Sequence, residues 1–189
     1  MIEEKMRESA RLIDKIARDG ELCGTIREVA DVIVEALNSG NKVLIAGNGG
    51  SASQAEHIAG EFVGKFYKER KALPCLSLTG PTACLTAVAN DYGYKNVFTR
   101  QLEAFGNSGD VFIGLTTSGS SKNIMRAVEC CDELGIATVV LTGSNITELH
   151  AMSDYSIVIP SNDTPRVQEC HILVGHIIAE LVETDIIRV

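Results

Sequence analysis

Residues 42–62, Lys-Val-Leu-Ile-Ala-Gly-Asn-Gly-Gly-Ser-Ala-Ser-Gln-Ala-Glu-His-Ile-Ala-Gly-Glu-Phe, decide the fold. An apolar run over 42–46 passes through Gly47-Asn48-Gly49-Gly50-Ser51 into a stretch, 51–66, with helical spacing. Buried strand, glycine turn and helix in that order make the repeating unit of a parallel α/β sheet. The alternation continues downstream. Apolar runs at 74–78, 110–115, 137–141 and 155–159 read as strands, stretches at 81–90, 121–134 and 145–152 as helices, and a last helix covers about 165–184. Upstream, Ile2, Met6, Leu12, Ile13 and Ile16, then Ile26, Val29, Val32, Ile33, Ala36 and Leu37, recur at helical spacing and predict amphipathic helices over 2–19 and 23–38. Ser39-Gly40-Asn41 ends the second. The expected architecture is a three-layer, Rossmann-like α/β sandwich with a five-stranded parallel sheet, one unit over 1–189 in which 1–40 form a helical extension suited to assembly.

Composition narrows the function. The 189 residues carry 17 Lys+Arg against 25 Asp+Glu, a net charge of −8, with 45% hydrophobic residues. That balance fits a globular chain and argues against disorder. It also lacks the basic run that bulk nucleic-acid binding needs. No apolar stretch approaches the roughly 20 residues that span a bilayer, and the charged N-terminus does not read as a secretory leader, so a cytoplasmic location is expected. Cys23, Cys75, Cys84, Cys130, Cys131 and Cys170 lie among apolar neighbours without C-x-x-C spacing. They read as reduced core residues, which leaves no cysteine zinc site.

Ligands of parallel sheets bind beyond the carboxyl ends of the strands, so the loops after Ala46 and Leu115 carry the most weight. Gly47 to Ser51 combines turn-permitting glycines with a helix start, suited to a phosphate or carboxylate, although an ordinary strand-to-helix turn would look the same. Ala52 stands where a dinucleotide fingerprint has its third glycine, and no Walker lysine follows, so no nucleotide cofactor is expected. Thr116-Thr117-Ser118-Gly119-Ser120-Ser121-Lys122-Asn123 offers five hydroxyls before a helix. A cap needs one hydroxyl, so phosphate binding is favoured over capping.

His57 and Glu61 stand four residues apart and share a helix face, an arrangement for a divalent metal, for an acid and base, or for a solvated surface contact. The last helix sets Arg166, Gln168, Glu169, His171 and His176 among apolar residues. Gln168 and His176 are separated by roughly 12 Å of helical rise, so they cannot readily reach one ion from the middle of one straight helix. An irregular helix start or another subunit would be required. His171 and His150 read as satisfied structural residues, and Asn90-Asp91-Tyr92-Gly93 as a turn.

Taken together, GNGGSASQAEHIAGEF, AVANDYGY, TTSGSSKN and RVQECHILVGH resemble the sugar isomerase (SIS) fold, specifically the bacterial phosphoheptose isomerases. The resemblance covers nearly the whole chain. It implies conversion of D-sedoheptulose 7-phosphate to D-glycero-D-manno-heptose 7-phosphate, which supplies heptose for lipopolysaccharide or capsule, in a homotetramer with active sites between subunits. It implies Glu61 and His176 as the acid/base pair, and His57, Glu61, Gln168 and His176 as ligands of one zinc per subunit. Asn48, Gly49, Gly50, Asn90, Asp91, Thr116, Thr117, Ser118, Ser121 and Gln168 match substrate-binding positions, Glu61 also faces the substrate, and Ser51 lies beside them. Two departures bear on sugar preference: Thr116 and Ser120 depart from the family's S-T-S-G-N-S loop, and Pro165 replaces an aspartate found in some members. The alternative is a non-catalytic SIS protein that binds a phosphosugar or, like a homologue of this fold, a replication initiator. That homologue lacks the glutamate at the position of Glu61.

Overall fold

The computed structural model describes residues 1–188, so Val189, the last residue of the unit expected over 1–189, lies outside it. Two helices lead, α1 (Ile2–Ala17) and α2 (Gly20–Asn38), followed by β1 (Val43–Gly47), α3 (Gly50–Val63) and β2 (Cys75–Ser77). Then come α4 (Thr82–Tyr92), a 3-10 turn (Tyr94–Asn96), α5 (Thr99–Phe105), β3 (Val111–Thr116) and α6 (Lys122–Leu134). The chain closes with β4 (Ala137–Thr142), α7 (Glu148–Met152), β5 (Tyr155–Val158) and α8 (Thr164–Arg188).

The strands form one parallel sheet in the order β2-β1-β3-β4-β5, as the alternating pattern predicts. Successive side chains point to opposite faces of a strand, and the core divides accordingly. Val43, Ile45, Val111, Ile113, Leu115, Val139, Leu141 and Ile157 pack with α2, α3 and α8. Leu44, Ala46, Phe112 and Val140 pack with Phe98, Leu102, Ile124 and Val128 on the other side. Helices therefore cover both faces; the central strands β1, β3 and β4 are buried, while the edge strands β2 and β5, also expected to be buried, are only partly covered. From β1 the chain moves outward to β2, then returns past β1 to build β3, β4 and β5 on the other side. The reversal lies between β1 and β3, where a crevice opens at the carboxyl edge. The two loops singled out in the sequence start there.

Three further expectations need correction. Asn90, Asp91 and Tyr92 are the last turn of α4, which Gly93 terminates at φ +84°, so the turn signal marks a helix end. Helix α5 was not expected at all, yet Leu102, with Val97 and Phe98 just before it, lies fully inside the second core. Of the cysteines, Cys130, Cys131 and Cys170 are buried and all six are free, but Cys23 is exposed and Cys75 and Cys84 are half-buried. Among the described residues no helix is long and apolar enough to cross a membrane.

Candidate active site

Adjacent strands bring the two loops together: Gly47 of β1 pairs with Leu115 of β3, so Asn48 emerges beside Thr116. Gly47 has no room for a side chain, because a Cβ there would stand 2.6 Å from the Ser51 carbonyl oxygen. Gly49 takes φ +57°, in the left-handed region that glycine adopts without strain. The turn can thus fold back tightly into α3. Asn48 Nδ2 donates to Asn123 Oδ1 (2.9 Å), and Asn123 Nδ2 donates back to Asn48 Oδ1 (2.8 Å). Tyr94 donates its hydroxyl to the same Asn48 oxygen at 2.8 Å. Asn90 and Asp91 lie exposed at the end of α4, with the Asn90 amide donating to Asp91 Oδ1 at 2.7 Å, and Tyr94 connects this corner to the first loop.

The hydroxyls of the second loop face one another. Thr116 Oγ1 lies 2.9 Å from Ser121 Oγ and 3.5 Å from Ser118 Oγ, and Ser118 Oγ accepts from the Ser120 hydroxyl and amide. Ser121 occupies the N-cap position of α6, but its side chain makes no capping bond. The hydroxyls are therefore not spent on capping, and the helix start remains positively polarised. Gly119, at φ +69°, turns the loop, and the Thr147 hydroxyl secures it by donating to its carbonyl at 2.7 Å. Clustered hydroxyls at a helix start are chemistry for a phosphate.

Helices α3 and α8 lie side by side and run the same way, as their contacts rise together along both. A Cβ at Gly50 would stand 2.7 Å from Gln168 Nε2, and Gln54 Nε2 donates to the Gln168 carbonyl at 2.7 Å. Further along, Gly175 leaves space for Ile58, whose Cδ1 would be 2.5 Å from an added Cβ. There His57 Nε2 meets His176 Nε2 at 2.8 Å and Glu61 Oε1 at 3.2 Å. The donor atoms of His57, Glu61 and His176 all fall within 4.8 Å of one another. Phe66 flanks them, its ring 5.7 Å from that of His176.

This donor set fits a divalent ion such as zinc: two imidazoles and a carboxylate provide three ligands and leave a fourth position open, as catalytic zinc sites do. Gln168 of the same chain belongs instead to the Gly50 end of the helix pair, in keeping with the rise argument. Because α8 runs unbroken from Thr164, no irregular start brings Gln168 closer to His176.

The remaining candidates are structural. His171 is fully buried and its Nε2 donates to the Thr142 carbonyl at 3.2 Å, while Nδ1 has no partner. Burial pushes its pKa down to about 4, against the opposing effect of that bond. His150 reaches back to the Thr147 amide at 3.0 Å and helps cap α7. Burial raises the Cys75 thiol to about 12 and Cys170 to about 11, which removes both as thiolate nucleophiles near neutral pH. Sequence reasoning missed Tyr94, Gln54, Phe66 and Arg70, whose roles depend on partners distant in the chain or on a loop without periodicity. Asn123 stood inside the quoted hydroxyl motif, and its amide was the available signal.

The parallel sheet, the crevice at its reversal point and the hydroxyl loop define a phosphosugar-binding class of α/β protein, and the family model described as "SIS domain" matches residues 6–143. The phosphoheptose isomerase of Aneurinibacillus thermoaerophilus is 50% identical over 187 residues, covering 99% of this chain and 94% of that protein. The solved phosphoheptose isomerase of Neisseria gonorrhoeae superposes with a TM-score of 0.91 at 33% identity, covering 97% of both chains. That of Francisella tularensis gives 0.92 at 34% identity, covering 97% of this chain and 96% of its own. The chain belongs to the phosphoheptose isomerase family of SIS-domain proteins.

Proposed function

We propose that this protein is an aldose–ketose isomerase that interconverts D-sedoheptulose 7-phosphate and D-glycero-D-manno-heptose 7-phosphate. The observation that carries the reading is the meeting of Glu61 with His57 and His176 between α3 and α8, in a chain of this family that also carries an uncapped, hydroxyl-lined helix start. The sugar phosphate is held by Thr116, Thr117, Ser118 and Ser121, with Asn48, Gly49, Gly50, Ser51, Asn90, Asp91 and Gln168 around the sugar. Ketose-to-aldose conversion removes a proton from C1, forms a cis-enediol and returns a proton to C2. Glu61 moves the carbon-bound proton, and His176 manages the proton passing between O1 and O2. Oε1 of Glu61 faces His57, which leaves Oε2 for proton transfer. His57, Glu61 and His176 are the residues that would hold zinc, with Gln168 contributed by a neighbouring copy. When bound, zinc would polarise the C2 carbonyl and stabilise the enediolate charge.

Exposed apolar residues support this arrangement. Tyr67 and Ile177, next in sequence to Phe66 and His176, lie exposed, as do Met1, Ile2, Met6 and Ile13 along α1. Apolar residues grouped in this way suit coverage by further copies. We read 1–189 as one SIS unit that forms a homotetramer, with 1–40 serving assembly and sites shared between subunits, active in the cytoplasm in heptose supply for a surface glycan. The non-catalytic alternative is disfavoured by Glu61 and by relatives that are named isomerases. The test is incubation with sedoheptulose 7-phosphate and detection of the aldose. Glu61→Gln keeps the shape and removes the base, so kcat should fall at least about 100-fold with KM nearly unchanged. Near-normal turnover in that variant would refute the mechanism.

A further inference from the structure

Beneath the three donors lies a buried ion pair that the catalytic reading does not use. Arg70 and Glu183 side chains are only 4% and 2% exposed, and Arg70 Nε donates to Glu183 Oε1 at 3.0 Å. The Glu183 carboxylate also accepts three consecutive backbone amides, those of Phe66 (2.9 Å), Tyr67 (2.7 Å) and Lys68 (2.9 Å). The Arg70 guanidinium turns the other way. Its Nη2 donates to the Glu61 carbonyl at 2.8 Å, and Nη1 to those of Phe62 at 2.9 Å and Gly64 at 3.2 Å. Carbonyls at a helix end lack intrahelical partners and carry partial negative charge, so a cation there caps the helix. Arg70 therefore closes the end of α3, within one turn of Glu61.

The same pair reaches the facing helix. Glu183 stands seven residues beyond His176 on α8, which returns to the same helical face. The loop that it grips carries Phe66, whose ring lies against His176 at 5.7 Å. One ion pair thus ties together the carbonyl of Glu61, the ring beside His176 and the helix that bears His176. Burying two charges is costly, and well-packed apolar residues in their place are often as stable. The pair is therefore weak evidence for a purely stabilising role.

We propose that Arg70 and Glu183 are positioning residues of the isomerase site, clamping the end of α3 to α8 so that Glu61 and His176 keep the spacing that proton transfer and metal binding require. The kinetic part rests on the isomerase reading; the metal part stands on the three donors alone. Arg70→Lys keeps the charge but loses the fork that spans Glu183 and the α3 carbonyls. Glu183→Gln places an amide donor against backbone N–H groups. Asp110→Asn is the comparison: Asp110 is equally buried and pairs with Lys42 at 2.6 Å, but at the amino-terminal edge of the sheet.

The experiment measures zinc affinity by chelator competition, kcat and KM with sedoheptulose 7-phosphate, and thermal midpoints. Arg70→Lys and Glu183→Gln should each weaken zinc about 10- to 100-fold and lower kcat by a similar factor, with KM changed less than about threefold. Asp110→Asn should lower the midpoint comparably, yet leave zinc affinity and kcat near wild type. Midpoints lowered in all three variants with zinc affinity and kcat unchanged would overturn the proposal and make the pair purely structural. If the two site variants do not fold, Phe66→Leu decides. That change keeps the backbone bonds to Glu183 and removes the ring through which the gripped loop reaches His176, so a loss of zinc affinity of about fivefold supports that link of the clamp to the donors and no loss refutes it. A wild type that binds zinc but does not turn over the heptose phosphate would remove the isomerase reading and leave the zinc comparison in force. If the wild type turns over without binding zinc, kcat against KM decides.

Discussion

Ser118 and Ser121 contribute hydroxyls at a helix start whose N-cap side chain is left unused for capping. Replacing both by alanine removes two donors to a charged acceptor, each worth roughly 1.5 to 3 kcal/mol. KM for the sugar phosphate should rise tenfold or more with kcat far less affected, and steady-state kinetics on the double variant checks it. At this scale much of the candidate site could be read from the chain, because phosphate, acid/base and metal chemistry each demand particular side chains. The pair His57 and Glu61 was visible through helical spacing alone. Tyr94 was not, since its partner Asn48 lies 46 positions earlier and no periodic pattern links them. Gln168 was placed apart from His176 by the rise of a helix, and the structure keeps them apart.

Between elements, close approach decides what is tolerated. Gly47→Ala would drive a Cβ into the Ser51 backbone at 2.6 Å, a clash that no side-chain rotation relieves. Denaturant unfolding should show a loss of about 1 to 3 kcal/mol, as overpacked positions do. Gly24→Ala in α2 meets nothing within 4 Å and should gain about 0.5 to 1 kcal/mol by the same measurement. His171, on α8 and held against the end of β4, makes stability pH-dependent. Its folded pKa is about 4 against an ordinary 6.5, so the unfolded chain binds the proton first and stability falls as pH drops through that window. From pH 6.5 to 5 the loss from this group should be about 1.5 kcal/mol, seen as a falling urea midpoint, and a flat profile would contradict it. Strands and long helices follow from apolar spacing. Helix α5 escaped that reading because its seven residues give too few turns for a period, and Thr99 and Gln101 are buried without being apolar.

Across the whole molecule, the strand order places β1 and β3 at the reversal, and α3 and α6 both begin at that edge. The parallel sheet was readable from alternation. The pairing of α3 with α8 was not, because they are separated by more than a hundred residues and contact depends on tertiary packing. Exposed Tyr67 and Ile177, next to Phe66 and His176, with the exposed apolar residues of α1, lead us to expect a homotetramer. Light scattering at micromolar concentration should give about four times the 20.3 kDa chain mass, and a monomer would contradict it. The two helix starts in the crevice have a consequence for a chain of net charge −8. Their pull on an anion comes from aligned peptide groups and hydroxyls, which have no proton to lose near neutrality. In the proposed mechanism the atoms that would hold the phosphate are thereby distinct from Glu61 and His176, which would move the protons, so a change at one set need not disturb the other.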